Sequence, residues 1–445
     1  MNIVFYSTYP VKQLNNSLIT DSKKLTQFPS CQNEFLEFCK KYTEHNFYCV
    51  YEGFSYFLPD EKNSPEVFVL PCGSSIEEIC NKIISLSPSL CIAVSIWAEP
   101  FDWLCCNDAL VKEELERNGI KTICNSVELN LKCFDKYLTD SFLRQNNFLT
   151  PNSIFVNHNL YFCAGSNKTV TSNVYKNLIF SQIKKMNIPL VIKECTGLSS
   201  LGAEVVNTFG ECKAYLNSKK NNSDRIICEY IKGRHFGVEV YKDTFSIFEI
   251  SLNRYGITSP KQSVKLNGTL NDDEFNSLKE IIKKLQEQLN AQNCIQIDLI
   301  LSEKKSGLNG QTLWYILEIN PRQSGMTNCV CVEQGKSIFE LLFENSFDKT
   351  LNENQNKKRV LSIKLPVFSD RLLKEINELK LAKKIIQFEN LEAKQEREKG
   401  WCEIILCDES YSKLTDKMHQ LKKFLINKEN FDEFMTALQH FELMH

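Results

Sequence analysis

The stretch Cys294-Ile-Gln-Ile-Asp-Leu-Ile-Leu301, followed by Leu313-Trp-Tyr-Ile-Leu-Glu-Ile-Asn-Pro-Arg322, decides how this chain is read. Both segments are apolar and β-branched. They predict two strands joined by a polar connection containing Gly307 and Gly310. Side chains alternate between the two faces of a strand. Gln296 and Asp298 therefore share one face of the first strand, and Glu318 and Asn320 share one face of the second. A hairpin centred near residue 308 sets Asp298 across from Glu318. Two carboxylates and an amide oxygen then converge from neighbouring strands. Hard oxygen donors of this kind suit Mg²⁺, which binds one or two carboxylates plus substrate phosphates. Taken alone, the same residues also describe a sheet edge carrying solvated acids.

About a hundred residues earlier the chain reads Pro189-Leu-Val-Ile-Lys-Glu-Cys-Thr-Gly-Leu-Ser-Ser-Leu-Gly-Ala-Glu-Val-Val206. The pattern is a strand ending at Lys193, a small-residue loop from Thr196 to Gly202, and a second strand. Glycines allow close backbone approach, and successive N–H groups in such a loop can wrap phosphate oxygens. Ser199 and Ser200 add hydroxyl donors, and Lys193 adds a point charge for a phosphate. The alternative is a plain β-hairpin with a glycine turn. A third segment, Arg225-Ile-Ile-Cys-Glu-Tyr-Ile-Lys-Gly-Arg-His-Phe-Gly-Val-Glu-Val-Tyr241, reads as a strand through Glu229-Tyr-Ile231, a turn at Gly233 and a further strand. Backbone groups at such a crossover can pair with an adenine edge. A strand connection that binds nothing has the same pattern.

In this order the three segments resemble the ATP-grasp superfamily. The shared features are a strand-borne lysine, a glycine/serine loop, a Glu-x-Ile hinge, an Asp on a strand and Glu-x-Asn, all within residues 189–325. Glu318-Ile-Asn-Pro-Arg-Gln-Ser-Gly325 is the most specific part. Upstream, Asp135-Lys136-Tyr-Leu-Thr139 followed by Thr150-Pro151 is similar to the family's helix with a first nucleotide lysine and its entry to the lid. The likeness covers roughly residues 90–345 and leans toward the D-alanine–D-alanine ligase and L-amino-acid ligase branch.

The resemblance implies ATP and Mg²⁺ as cofactors, with Mn²⁺ as an alternative ion. It implies that Lys136 and Lys193 contact the α- and β-phosphates, and that Ser199, Ser200 and Gly202 lie over the triphosphate. Glu229, Tyr230 and Ile231 would frame the adenine, and His235 would hold the ribose-binding position. Asp298, Glu318 and Asn320 would bind metal, with Arg322 and Lys193 as the catalytic cations. Two positions depart from the ligase pattern. His235 stands where ligases usually carry Glu, as in biotin-carboxylase-like members. Gln296 stands where D-alanine ligases carry Arg, which points away from D-alanyl-D-alanine as product. Arg322 could supply that missing cation.

The reaction expected is amide or peptide bond formation through an acylphosphate, giving ADP and phosphate. The partners would be a small carboxylate and an amine, amino acids or small peptides. Carboxylation by another ATP-grasp type, and nucleotide binding without catalysis, are the alternatives. Arg254, Tyr255 and Lys261 are candidates for shaping the acceptor pocket.

The remaining composition fits a multidomain enzyme. The formal charge is 53 − 55 = −2, so no basic field is available for nucleic acid. Lys383-Lys384 and Lys422-Lys423 are expected on solvated helix faces. The amino terminus lacks the charged start of a signal peptide, and the longest apolar run, Leu90 to Trp97, is too short to cross a bilayer. No membrane partner and a cytoplasmic location are expected, with a homodimer left open. The 19 cysteines are scattered, with no Cys-x-x-Cys pair, and read as reduced, mostly buried thiols. Cys195, in the phosphate loop, is a candidate for alkylation.

The expected fold class is α/β and α+β multidomain, an ATP-grasp fold flanked by other domains. Residues 1–126 form an N-terminal Rossmann-like α/β domain with a parallel sheet. Residues 127–350 form the ATP-grasp domain, with the lid at about 151–232. Residues 351–445 form a C-terminal α+β domain. A helix carrying Phe275, Leu278, Ile281, Ile282, Leu285 and Leu289 on one face, capped by Asp272 or Asp273, precedes the Asp298 strand.

Overall fold

The computed structural model describes residues 1–8, 23–28, 31–52, 66–71, 73–94, 104–163, 173–196, 203–242, 244–251, 264–303, 313–347, 358–390 and 400–445. Among these residues the strands form three sheets in a mixed α/β multidomain fold.

The chain opens with β1 (Asn2–Ser7), β2 (Lys23–Phe28), α1 (Cys31–Lys41), β3 (Asn46–Glu52), β4 (Val67–Leu70), α2 (Ile76–Ser85), β5 (Leu90–Ala93), α3 (Leu104–Arg117) and β6 (Lys121–Ile123). Five of these strands make a parallel sheet in the order β4-β3-β1-β5-β6. Parallel sheets are covered on both faces, so their strands are apolar throughout. On β1, Val4 and Tyr6 pack against α2 and α3, whereas Ile3 and Phe5 face the other way into an aromatic cluster. Phe5 meets Phe339 edge-on at 5.3 Å, and Phe38 meets Phe343 at 5.6 Å. Phe339 and Phe343 belong to a helix far along the chain, so this cluster fixes the first sheet against the rest of the molecule.

Two helices, α4 (Val127–Phe134) and α5 (Lys136–Gln145), lead into a smaller unit over about residues 151–232, called the lid after the role expected of it. The lid contains β7 (Ser153–Val156), α6 (His158–Tyr161), α7 (Val174–Ile183), β8 (Leu190–Glu194), β9 (Glu204–Val206), α8 (Phe209–Leu216) and β10 (Arg225–Glu229). Its four-stranded antiparallel sheet has the order β7-β10-β8-β9.

The third sheet runs β15-β14-β11-β12-β13-β16-β18-β17-β2. Its first part comprises β11 (Gly233–Tyr241), β12 (Thr244–Ile250), β13 (Val264–Asn267), β14 (Ile295–Ser302) and β15 (Trp314–Asn320). The helices α9 (Asp272–Leu289), α10 (Thr327–Gln334) and α11 (Ile338–Ser346) belong to the same stretch of chain. Then come β16 (Arg359–Leu365), α12 (Asp370–Glu378), β17 (Ala382–Asn390), β18 (Gly400–Asp408), α13 (Tyr411–Leu425) and α14 (Phe431–Met444). The C-terminal strands thus continue the sheet that carries Asp298, and β2 closes its far edge.

Local chemistry differs from the sequence reading at three places. The cap of α9 is Asn271, not Asp272 or Asp273. Its side chain accepts from Glu274 N–H, and the Glu274 carboxylate accepts from Asn271 N–H, which leaves both aspartates inside the first turn. Gly233 does not sit in a turn. It starts β11 so close to the Leu301 carbonyl that a Cβ would collide with it. Lys383-Lys384 are not on a helix but on β17, where Lys384 is buried and pairs with Glu34 at 2.8 Å.

Candidate active site

The third sheet has one face packed on α9 and one face turned to a cleft beneath the lid. Phe236, Val238, Val240, Ile295, Ile297 and Leu299 point to α9. Alternation turns His235, Gly237, Glu239, Gln296 and Asp298 the other way. The register pairs Asp298 with Glu318 and Gln296 with Asn320. Leu299 pairs with Ile316, so Leu317 is an extra residue on β15. Such a bulge re-aims side chains beside it. Trp314 and Ile316 lie in the α9 core, and strict alternation would have sent Glu318 there too. The bulge turns Glu318 and Leu317 to the cleft and returns Ile319 to the core.

A polar relay fixes the acidic cluster. Gln296 Nε2 donates to Asp298 Oδ1 at 2.9 Å, and Asn320 Nδ2 donates to Gln296 Oε1 at 2.6 Å. The Arg322 guanidinium donates to Asn320 Oδ1 at 3.4 Å and to the Gln323 carbonyl at 3.0 Å. Behind them, fully buried Glu239 accepts from Ser324 N–H at 3.0 Å, from the Ser324 hydroxyl, and from Thr327 Oγ1 at 2.8 Å. Burial pushes the Glu239 carboxyl above its ordinary range, although those donors pull it down. Gly237, opposite Asp298, leaves room for Met326, whose thioether occupies the place of a Cβ. The Asn-Pro-Arg loop therefore lies flat on the sheet. Asn125 holds it from the other side, donating to the carbonyls of Pro321 and Cys294, each at 2.9 Å.

The lid and the helix that leads into it supply the cations. Asp135 caps α5, accepting from Tyr137 N–H at 2.7 Å, and the Lys136 N–H donates to the Cys195 carbonyl at 2.8 Å. Lys136 Nζ thereby lies 3.4 Å from Glu318. Lys193, opposite Ile226, borders the same narrow space of about 20 Å³, together with Lys136, Asp140, Cys228 and Leu317. Asp140 is held by Arg144 at 2.9 Å, Thr150 at 2.9 Å and Ser153 at 2.8 Å, which ties α5 to the entry of the lid.

At the hinge, the Glu229 carboxylate accepts from Asn187 N–H at 2.7 Å, and Tyr230 N–H donates to the Pro189 carbonyl at 3.0 Å. Among the described residues the Ile231 N–H has no partner. His235 sits 3.7 Å from Asp298, and among the described residues neither of its buried ring nitrogens is hydrogen-bonded. It therefore lies beside the acidic pair.

Ser199, Ser200, Gly202, Arg254, Tyr255 and Lys261 lie outside the described residues. Cys195 is buried, and burial, with Asp135 and Asp224 nearby, pushes its thiol up to about 12. That is the opposite of an activated thiolate.

Residues 133–326 match the family model of the ATP-grasp domain. The chain carries an ATP-grasp domain. A further match is the carbamoyl phosphate synthase large chain of Thermoanaerobacter pseudethanolicus (strain ATCC 33223 / 39E), 25% identical over 199 residues. That match spans 42% of this chain but only 18% of the relative's length. The L-amino acid ligase from Bacillus licheniformis has a similar fold, with a TM-score of 0.61 at 14% identity over 95% of this chain and 97% of that one. N5-carboxyaminoimidazole ribonucleotide synthetase from Thermotoga maritima gives 0.58, at 13% identity over 95% of this chain and 98% of that one. At these identities the structural likeness shows the fold alone. ATP-grasp enzymes use ATP with a divalent metal, and the donors here suit such an ion. Among the described residues no three of His, Cys, Asp and Glu form a self-contained cage. Two carboxylates and an amide oxygen are the partial set that Mg²⁺ takes when substrate phosphates complete its shell.

Among the described residues no helix is long and apolar enough to cross a membrane.

Proposed function

We propose that this ATP-grasp protein is an ADP-forming carboxylate–amine ligase acting on amino acids or small peptides. The observation that carries this reading is the placement of Asp298, Glu318 and Asn320 on one sheet face, with Lys136 3.4 Å from Glu318 and Lys193 bordering the same small space as Lys136 and Leu317. Such a cluster suits the β,γ end of a nucleotide. A bound Mg²⁺ or Mn²⁺ would neutralise charge on the transferring phosphoryl group. Lys136 and Lys193 would hold the phosphates, and Ser199, Ser200 and Gly202 would close over them. Ile231 N–H, between Glu229 and Lys232, would meet the adenine edge. His235, beside Asp298, would serve the phosphate end of the nucleotide rather than its ribose.

A substrate carboxylate would receive the γ-phosphoryl group to give an acylphosphate and ADP. An amine would then displace phosphate through a tetrahedral oxyanion facing Arg322. An acylphosphate hydrolyses unless water is kept out, so the lid would close during turnover. Small soluble substrates and a cytoplasmic setting belong to the same reading.

One feature favours a second reading. His235 matches the histidine of carboxylase-like members, so bicarbonate is the alternative acceptor of the phosphoryl group. The test is ATP-dependent phosphate release with pools of amino acids and dipeptides, with and without bicarbonate. ADP and phosphate formed in step with an amide support the ligase. Release that needs bicarbonate and no amine supports the carboxylase.

A further inference from the structure

We propose that Gln296 is the positioning residue that orients the metal-binding oxygens of Asp298 and Asn320. The inference rests on the ATP-grasp metal site described above and concerns a residue outside the expected ligand set.

The geometry follows from hydrogen-bond chemistry. An ionised carboxylate only accepts, whereas a side-chain amide has one accepting oxygen and one donating nitrogen. Gln296 is 2.9 Å from Asp298 Oδ1, so it must present Nε2 to that oxygen. Its Oε1 then faces Asn320, 2.6 Å away, and Asn320 must present Nδ2. The remaining atom of Asn320, Oδ1, is thereby turned outward, where Arg322 also donates to it. A single carboxylate thus sets the direction of two amides in series. Asp298 keeps its other oxygen for a cation, and Asn320 offers oxygen rather than nitrogen.

The relay is built to hold. Gln296 is 5% exposed and Asn320 8%, so water competes little with either amide. Gln296 pairs in register with Glu239 on one side and Asn320 on the other, and Glu239 anchors the loop that carries Arg322. An Arg or Lys at 296 would have only donors. It could not accept from Asn320 and would leave that amide free to flip.

The test is Mn²⁺ binding read by electron paramagnetic resonance, on the full chain with ADP present, alongside thermal unfolding. Groups of this kind behind metal ligands are worth ~10–100-fold in affinity. Gln296→Met, which keeps length but not the relay, should lose at least ~10-fold in Mn²⁺ affinity. Gln296→Asn, too short to reach both partners, provides a second polar variant and should weaken binding likewise. Asn320→Asp presents oxygen in either orientation, so adding Gln296→Met to it should cost far less than in the wild type. Equal costs in the two backgrounds would overturn the inference. So would unchanged Mn²⁺ affinity in either folded Gln296 variant. Failure of the wild type itself to bind Mn²⁺ with ADP would overturn the metal-site reading as well.

Discussion

Glu318 faces Asp298 across β14 and β15 because β15 carries one extra residue, Leu317, immediately before the pair. Without that slip, Glu318 would share the face of Trp314 and Ile316 and point into the apolar packing against α9. The acidic pair is therefore a product of strand register as much as of residue type. Deleting Leu317 makes Glu318 follow Ile316 directly, so alternation alone keeps the carboxylate on the cleft face opposite Asp298. Leu317→Ala keeps the bulge, and both variants should retain Mn²⁺ binding. Urea unfolding and Mn²⁺ titration of both variants check this, and loss of metal binding in the folded deletion variant would contradict it.

Removing the carboxylates singly separates chemistry from folding. Asp298→Asn and Glu318→Gln should leave the melting temperature within a few degrees of wild type. Each should lower ATP turnover by at least ~10²-fold, the scale expected for losing an electrostatic stabiliser of the transition state. Wild-type-like rates in both, with Mg²⁺ as sole metal, would remove these residues from the mechanism.

Lys193 borders the narrow space beside Leu317 from the lid, whereas Lys136 approaches Glu318 from α5. Lys193→Ala should weaken ATP affinity by calorimetric titration far more than it alters thermal unfolding. Undiminished affinity and turnover would make the lid segment an ordinary hairpin.

The sheet was legible where residue type and period agreed. The β14 and β15 segments are apolar, alternate cleanly near Asp298, and sit at a spacing that brings Asp298 opposite Glu318. The bulge at Leu317 was not legible, because nothing in Leu-Glu-Ile marks which residue goes unpaired. Asp140 gave no signal either. Its importance comes from Arg144, Thr150 and Ser153 converging on it in space. The position of Gln296 was visible, but its relay depends on the partner strand. The continuation of the sheet into β16, β18 and β17 was hidden for the same reason. Lys384 reads as a surface lysine until Glu34 of α1 is seen beside it.

A buried ion pair with a measurable titration joins β13 to the C-terminal strand β18. Lys265 Nζ lies 3.1 Å from Glu403 and donates to the Gly325 carbonyl at 2.7 Å, next to the Arg322 loop. Burial pushes the Glu403 carboxyl up, yet Lys265, Lys364 and the Ser362 hydroxyl hold it below its ordinary value. A depressed carboxyl contributes stability that is present above its unfolded value, ~4.3, and lost as pH falls through the folded one. Glu403→Gln should flatten the acid side of the stability–pH curve. It should also cost ~3–5 kcal/mol at pH 7, since Lys265 is left buried without its partner. An unchanged curve by urea unfolding between pH 3 and 7 would contradict this.

Cys195 should resist alkylation, because burial pushes its thiol up to about 12. Cys163 is exposed and, among the described cysteines, should be labelled first when the native protein is treated with iodoacetamide near neutral pH. Peptide mapping by mass spectrometry separates the two. Rapid labelling of Cys195 would show that β8 and α5 part in solution.

The most direct test of the proposed chemistry follows oxygen. With an accepted carboxylate substrate labelled with ¹⁸O, turnover through an acylphosphate should carry one labelled oxygen into the released phosphate and form ADP. Hydroxylamine in place of the amine should then trap a hydroxamate. Unlabelled phosphate, or release of AMP and pyrophosphate, would contradict γ-phosphoryl transfer to the carboxylate.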